Sequence, residues 1–177
     1  MKQRRALPPS QIAAMLRVDQ AGEYGAKRIY AGQLAMLGPN GPHADAIAHM
    51  AAQEQVHLDW FDAQVAARGV RPTLLQPFWH VAGFALGAAT AAIGPKAAMA
   101  CTAAVETEID RHYGAQLDAL GDSEPALADA ITRFRAEELE HKASAMEAGA
   151  EQAPAYPLLS AAIRAGCRLA IRLATRI

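Results

Sequence analysis

The sequence predicts an all-α protein in which four helices form a bundle built from two similar helical hairpins. Hydrophobic residues make up 52% of the 177 residues but aromatic residues only 6%. The apolar content is mostly alanine and leucine, which favour helix over strand. Clusters of proline and glycine divide the chain into six helical segments. Two pairs of these segments share side chains at identical offsets, which indicates an internal repeat.

The first hairpin is predicted from residues 10–37 and 44–68. Ser10 is a candidate N-cap for its first helix. The segment 38–42 (GPNGP) ends that helix, because two prolines and two glycines cannot continue it. Pro72 prevents the second helix from extending further.

The second hairpin is predicted from residues 96–120 and 126–148, with Pro95 at the first position of its first helix. Two further helices flank it. One spans residues 78–93 and is nearly uncharged, and the other spans residues 158–176. Helix 78–93 is predicted to be the long crossover connection that brings the second hairpin alongside the first. All six helices are expected to form a single domain.

Each hairpin carries the same ionisable pattern. Glu23 precedes a Glu-x-x-His motif at residues 54–57, and Glu106 precedes a second one at residues 138–141. Residues three apart lie on one face of a helix, so each motif can direct both side chains at one site. A glutamate from each of two helices and Glu-x-x-His from each of two others is the ligand set of a ferritin-like di-metal bundle. The six candidate ligands are Glu23, Glu54, His57, Glu106, Glu138 and His141.

This ligand set indicates iron or manganese. Four carboxylates and two imidazoles favour these ions over structural zinc, which prefers sulfur ligands and closed tetrahedra. A single Glu-x-x-His arises easily by chance as a solvated pair. Two copies in an aligned repeat favour a metal site, because buried carboxylates without partners are costly.

Four other residues are candidates for supporting roles. Asp19 and Glu137 are possible acceptors that orient the ligand histidines, although Glu137 is equally well explained as surface charge. Tyr30 and Tyr113 follow the two isolated glutamates at the same offset and face the same interior. Their hydroxyls can hydrogen-bond ligands or substrate. The alternative, a core tyrosine with a satisfied hydroxyl, is favoured for Tyr30.

Two polar residues that follow Glu106 in the sequence are expected to point away from the metal site. Glu108 is about 200° round the helix from Glu106 and is predicted to be solvated. His112 is predicted to be a surface residue, because it points away from the face that carries Tyr113.

The two additional helices favour contact with a membrane surface. Helix 78–93 would be about 24 Å long, shorter than the roughly 30 Å hydrocarbon core, and it begins with Phe78 and Trp79, which suit an interface. The last helix has one basic stripe, formed by Arg164, Arg168, Arg172 and Arg176. A basic amphipathic helix is typical of an element on anionic lipid. The alternative is a bundle-flanking helix with a solvated face.

Bulk properties exclude several classes. A net charge of −1 means that no global positive charge favours binding to nucleic acid. Cys101 and Cys167 are far apart and form no C-x-x-C motif, which excludes a rubredoxin or zinc-ribbon module. No apolar segment follows the basic residues 2–5, so no signal peptide is expected. No G-x-G-x-x-G motif is present, so use of NADH would need a partner reductase or an unconventional site.

The chain resembles the demethoxyubiquinone hydroxylases of ubiquinone biosynthesis, and the resemblance covers nearly its whole length. The segments that carry it are 17–26 (RVDQAGEYGA), 29–33 (IYAGQ), 79–87 (WHVAGFALG), 104–106 (AVE), 137–141 (EELEH) and 165–168 (AGCR). The six candidate ligands fill the family's six ligand positions. The resemblance implies a peripheral membrane monooxygenase with two iron ions per chain, ferrous in the resting form. Its substrates would be dioxygen and a polyprenyl benzoquinol.

Several further expectations accompany this resemblance. Eukaryotic members carry a mitochondrial transit peptide, and its absence here favours the cytoplasmic face of a bacterial cell membrane. Partners would be the anionic membrane surface and other ubiquinone-biosynthesis proteins. Tyr113 is hypothesised to hydrogen-bond the quinol or to relay protons and electrons. The alternatives are a ferritin- or rubrerythrin-like ferroxidase, and a metal-free bundle that acts as a scaffold.

Overall fold

The computed structural model describes residues 7–177, and every regular element in this part of the chain is helical. The α-helices are α1 (Pro9–Leu37), α2 (Ala44–Ala67), α3 (Gln76–Ile93), α4 (Pro95–Leu120), α5 (Pro125–Glu147) and α6 (Tyr156–Arg176). A short 3-10 helix, Ala150–Gln152, precedes α6. The predicted all-α class, with four bundle helices and two additional ones, is confirmed.

Proline starts most of these helices. Five of the six place a proline in the first turn, where its missing N–H and fixed φ cost nothing. Pro95 begins α4 as predicted. The prediction that Ser10 caps α1 is wrong, because the helix already starts at Pro9 and its N-cap is Pro8.

The bundle consists of the hairpins α1–α2 and α4–α5, whose helices face each other across a common core. Leu16, Phe61 and Leu127 belong to one apolar cluster of the core, and Ile47 and Met99 belong to another. Along every bundle helix the candidate ligands fall between residues of these two clusters. A polar layer therefore lies between two apolar layers, shielded from solvent at both ends.

Helix α3 lies directly on α1, backbone against backbone. A Cβ added to Gly87 would collide with the carbonyl oxygen of Ile29, and one added to Gly32 would collide with that of Phe84. Glycine is required at these positions because only its missing side chain permits such a close approach. Helix α3 connects the two hairpins, and α6 packs over α4 and α1. Within residues 7–177, no helix combines the length and apolar character needed to cross a membrane.

Candidate metal centre

The six predicted ligands meet in the middle of the bundle, and each is at most 3% exposed. They form two overlapping groups, one of Glu23, Glu54, His57 and Glu138, the other of Glu54, Glu106, Glu138 and His141. In each group, one ligand atom per residue lies within 4.8 Å of the others. Each group could hold a metal ion. Because Glu54 and Glu138 belong to both groups, two ions could lie side by side and share these carboxylates.

Both histidines turn the same ring nitrogen towards the carboxylates. His57 Nδ1 lies 3.2 Å from Glu138 Oε1 and 3.4 Å from Glu23 Oε2. His141 Nδ1 lies 3.0 Å from Glu138 Oε2 and 3.5 Å from Glu54 Oε1. Nδ1 is therefore the atom that each ring offers to a cation, while Nε2 points outward to other partners.

The buried carboxylates perturb one another strongly. Burial, followed by repulsion from Glu138, raises the pKa of Glu54 and of Glu106 well above the usual range. Burial also acts to raise the pKa of Glu138, but the imidazoles of His141 and His57 beside it outweigh burial and lower that pKa to about 2. Burial acts to lower the pKa of His57, but Glu138 and Glu23 raise it to about 10. Burial and mutual repulsion thus disfavour the charged forms of these carboxylates, and cations bound between them would offset both effects.

Orphaned polar atoms show that the centre fits a divalent metal. Both oxygens of Glu54, Oε2 of Glu106 and Nδ1 of His57 are buried and have no hydrogen-bond partner within residues 7–177. Buried polar atoms without partners are rare and costly in native proteins. Here the unpartnered oxygens and nitrogen belong to the two groups, and carboxylate and imidazole are ligands that suit iron.

Two tyrosines link the hairpins at this layer. Tyr30 of α1 donates to Glu106 Oε1 at 2.8 Å, and Tyr113 of α4 donates to Glu23 Oε1. Burial and the neighbouring carboxylates raise both tyrosine pKa values well above 10, so the hydroxyls keep their protons. Tyr30 is a core tyrosine with a satisfied hydroxyl, the interpretation favoured for it, and the acceptor of its hydrogen bond is a candidate ligand.

Of the two acceptors predicted to orient the histidines, Glu137 contacts one of them and Asp19 contacts neither. Glu137 does lie against a candidate ligand, with Oε2 2.6 Å from His57 Nε2. Asp19 does not: Oδ1 lies 3.0 Å from His112 Nε2 and accepts a 2.8 Å hydrogen bond from Gln116. Asp19 faces α4 rather than α2 or α5, and periodicity cannot show which neighbouring helix a buried face meets. For the same reason, the prediction that His112 is a surface residue is wrong.

The prediction that Glu108 is solvated is also wrong. Glu108 is 2% exposed, and its Oε1 accepts from Arg164 at 2.7 Å and from Arg168 at 2.8 Å. Helix α6 covers this face of α4, which no spacing in the sequence indicates. Two arginines of the predicted basic stripe are therefore engaged with a buried carboxylate, and Arg172 and Arg176 remain exposed.

An apolar cavity of about 420 Å³ lies beside the metal centre, between α1, α3, α4 and α6. This volume is within the range of small-molecule sites. Ala26, Ile29 and Val105 form part of its wall. A smaller pocket shares these three residues and reaches Tyr30 and Glu106. The cavity is therefore separated from a candidate ligand by little more than three apolar side chains.

The model of the family described as "Ubiquinone biosynthesis protein COQ7" matches residues 10–174. The chain belongs to the COQ7 family. It is 58% identical to a 3-demethoxyubiquinol 3-hydroxylase of Rhodospirillum rubrum over 96% of this chain and 80% of that protein. It is 49% identical to the human mitochondrial NADPH-dependent 3-demethoxyubiquinone 3-hydroxylase, over 94% of this chain and 78% of the relative. The yeast mitochondrial 5-demethoxyubiquinone hydroxylase is 42% identical, over 92% and 77%.

The predicted resemblance is thus confirmed at the level of the family. The COQ7 match includes all six residues of the buried Glu/His cluster. One member of the polar layer was missed: Gln53, whose Oε1 lies 3.0 Å from His141 Nε2. The repeat itself could have revealed it, because Gln53 precedes His57 by one turn, as Glu137 precedes His141.

Proposed function

We propose that this chain is a di-iron monooxygenase that hydroxylates the ring of demethoxyubiquinol with dioxygen. The observation that carries the proposal is a buried layer of four carboxylates and two imidazoles, with orphaned ligand atoms, beside an apolar cavity. Membership of the COQ7 family and the hydroxylase names of its relatives support the same reaction.

The proposed ligand assignment follows the two overlapping groups. Glu23 and His57 would hold one iron, Glu106 and His141 would hold the other, and Glu54 and Glu138 are available to both because they belong to both groups. We expect two irons per chain, ferrous in the resting form. Bound iron would supply the reductive activation of dioxygen, which no amino-acid side chain provides.

The two tyrosines hold protons at the edges of this layer. Tyr30 keeps Glu106 oriented, and Tyr113 does the same for Glu23. Tyr113 lies in the apolar cluster with Phe61 and is not part of the cavity wall. We therefore favour a proton relay through Glu23 over direct contact between Tyr113 and the quinol.

We propose that the polyprenyl tail occupies the cavity, which is lined almost entirely by apolar side chains. Phe78 and Leu169 lie at its edge and are 60% and 56% exposed. Large exposed apolar residues of this kind suit the boundary of a lipid layer. Arg172 and Arg176 would meet anionic headgroups. These features support a peripheral position on the membrane. We propose in addition that this is the cytoplasmic face of a bacterial membrane, where other ubiquinone-biosynthesis proteins would be partners.

A ferroxidase of the ferritin or rubrerythrin kind remains the second candidate, because it uses the same ligands. The apolar cavity disfavours it, since iron oxidation needs no hydrophobic chamber. A metal-free scaffold is disfavoured by the orphaned oxygens of Glu54, which a scaffold would have no reason to keep buried.

The deciding experiment is anaerobic loading of the full chain with ferrous iron, followed by iron counting and turnover of demethoxyubiquinol in air. About two irons per chain and hydroxylated product would support the proposal. Iron that is oxidised without product would favour the ferroxidase. A chain that binds no iron would refute both functions.

A further inference from the structure

The two candidate ligand histidines rest on different acceptors. Glu137 Oε2 lies 2.6 Å from His57 Nε2, whereas Gln53 Oε1 lies 3.0 Å from His141 Nε2. Carboxylate and amide oxygens are acceptors, so Nε2 of each ring carries the N–H and donates to them. One imidazole therefore donates to a carboxylate, and the other donates to a neutral amide.

The two acceptors are exchanged reciprocally between the hairpins, but they differ in charge. Gln53 stands one turn before His57, and Glu137 stands one turn before His141, yet each reaches the histidine of the opposite hairpin. The two residues occupy equivalent positions of the repeat and have nearly the same shape. They differ in charge, so the environment of the two histidines differs mainly in electrostatics.

A second departure from the repeat places charge on the same side. Asp19 stands one turn before Glu23, where the other half has Thr102. Gln116 donates to Asp19 at 2.8 Å, and Gln33 donates to the Thr102 hydroxyl oxygen at 3.3 Å. Both halves therefore pair a glutamine with the residue one turn before the isolated glutamate, but only the first half has a carboxylate there. Asp19 therefore adds a carboxylate one turn from Glu23, where it faces His112 and Gln116.

A carboxylate that accepts the outer N–H of a metal-bound imidazole raises its basicity and fixes its tautomer, and loss of such an acceptor typically costs about 10- to 100-fold in metal affinity. We infer that the two metal positions are inequivalent: the position of Glu23 and His57 binds a divalent cation more tightly and fills first, because Glu137 supports His57. This inference rests on the proposed metal centre. Glu137 is a positioning residue, since it acts through His57.

The test is a titration of the full chain with Co²⁺ under nitrogen, in which calorimetry and visible absorption monitor the binding. The wild type should bind two ions in two separable steps. Glu137→Gln should weaken the tighter step by about 10- to 100-fold and leave the weaker step nearly unchanged. Gln53→Glu should instead tighten the weaker step. Either variant brings the two dissociation constants closer together.

The double variant Gln53→Glu/Glu137→Gln keeps the total charge and should restore two separated steps. Glu140→Gln removes the same charge from an exposed position of α5 and should change neither step. Melting in the presence of chelator checks that each variant folds. The inference is overturned if the wild type binds two ions with one dissociation constant, or if Glu137→Gln changes neither step. A wild type that binds no Co²⁺ would refute the metal centre itself.

Discussion

The four bundle helices and the two outer helices both depart from the usual distribution of residues. The bundle buries ionisable side chains, and the outer helices expose large apolar ones. The bundle buries charge: Glu54 and His57 are 0% exposed. The outer helices expose apolar side chains: Phe78 and Val81 of α3 are 60% and 66% exposed, and Leu158 of α6 is 73% exposed. Each departure is unfavourable in water alone. A bound cation would offset the first departure, and an apolar surrounding would offset the second.

The two sets of helices also contribute different parts of the site. The bundle helices are two copies of one hairpin, so their candidate ligands surround a common centre. Helices α3 and α6 carry no candidate ligand, and they complete the cavity against α1 and α4. Changes in the bundle should therefore alter metal binding, and changes in the outer helices should alter substrate use or their docking.

The largest expected effect is that of Glu54→Met in the bundle. Metal binding and hydroxylation should be lost, because Glu54 belongs to both groups. In chelator, the variant should be more stable than the wild type by about 1–3 kcal/mol, because two orphaned oxygens and their repulsion are removed. Iron counting and thermal denaturation check the two effects. Glu140→Met, at an exposed position, is the control, and full iron binding by Glu54→Met would contradict the ligand assignment.

Next in size is Ala170→Trp, which fills the cavity from α6. The indole should lower kcat/KM for demethoxyubiquinol by about tenfold or more through KM, because it occupies apolar volume needed by the substrate. Iron content should stay that of the wild type. Ala162→Trp lies at an exposed position of α6 outside the cavity wall and should retain normal kinetics. Equal KM values for the two variants would show that the substrate does not occupy the cavity.

Gly87→Ala tests the docking of α3 on α1. The new Cβ collides with the carbonyl oxygen of Ile29, so the helices must separate. We expect the free energy of unfolding to fall by about 1–3 kcal/mol, measured in urea. Gly166→Ala, whose Cβ would meet nothing within 4 Å, should be neutral or stabilising by up to about 1 kcal/mol through helix propensity. Equal stability of the two variants would show that the α1–α3 contact is looser than described.

The smallest effect is expected for Glu108→Gln, which weakens the contact between α6 and α4. Arg164 and Arg168 are more than a third exposed, so the loss of stability should be only about 1 kcal/mol. Release of these arginines should increase binding to vesicles that contain anionic lipid. Sedimentation with anionic and with neutral vesicles measures the change. Stronger binding to both kinds would show that charge is not the cause.

Much of the bundle could be predicted because its constraints are local or repeated. Pro95 marked the start of α4, and the aligned positions of Glu23 and Glu106 selected the ligand candidates among many acidic residues. The six residues then converge because they lie on the buried faces of the four bundle helices, at the same level of the core. Glu137 and Gln53 were detectable by the same alignment, although only Glu137 was predicted.

The amino-acid sequence by itself determined the helices, the repeat, the six converging residues and the family. Only the tertiary structure decided which helix each buried face meets: Asp19 contacts His112, Glu108 lies under α6, and each candidate ligand histidine rests on the opposite hairpin. Helical periodicity specifies the direction of a side chain about its own axis. The neighbour in that direction depends on how several helices pack together, a property that belongs to the whole chain.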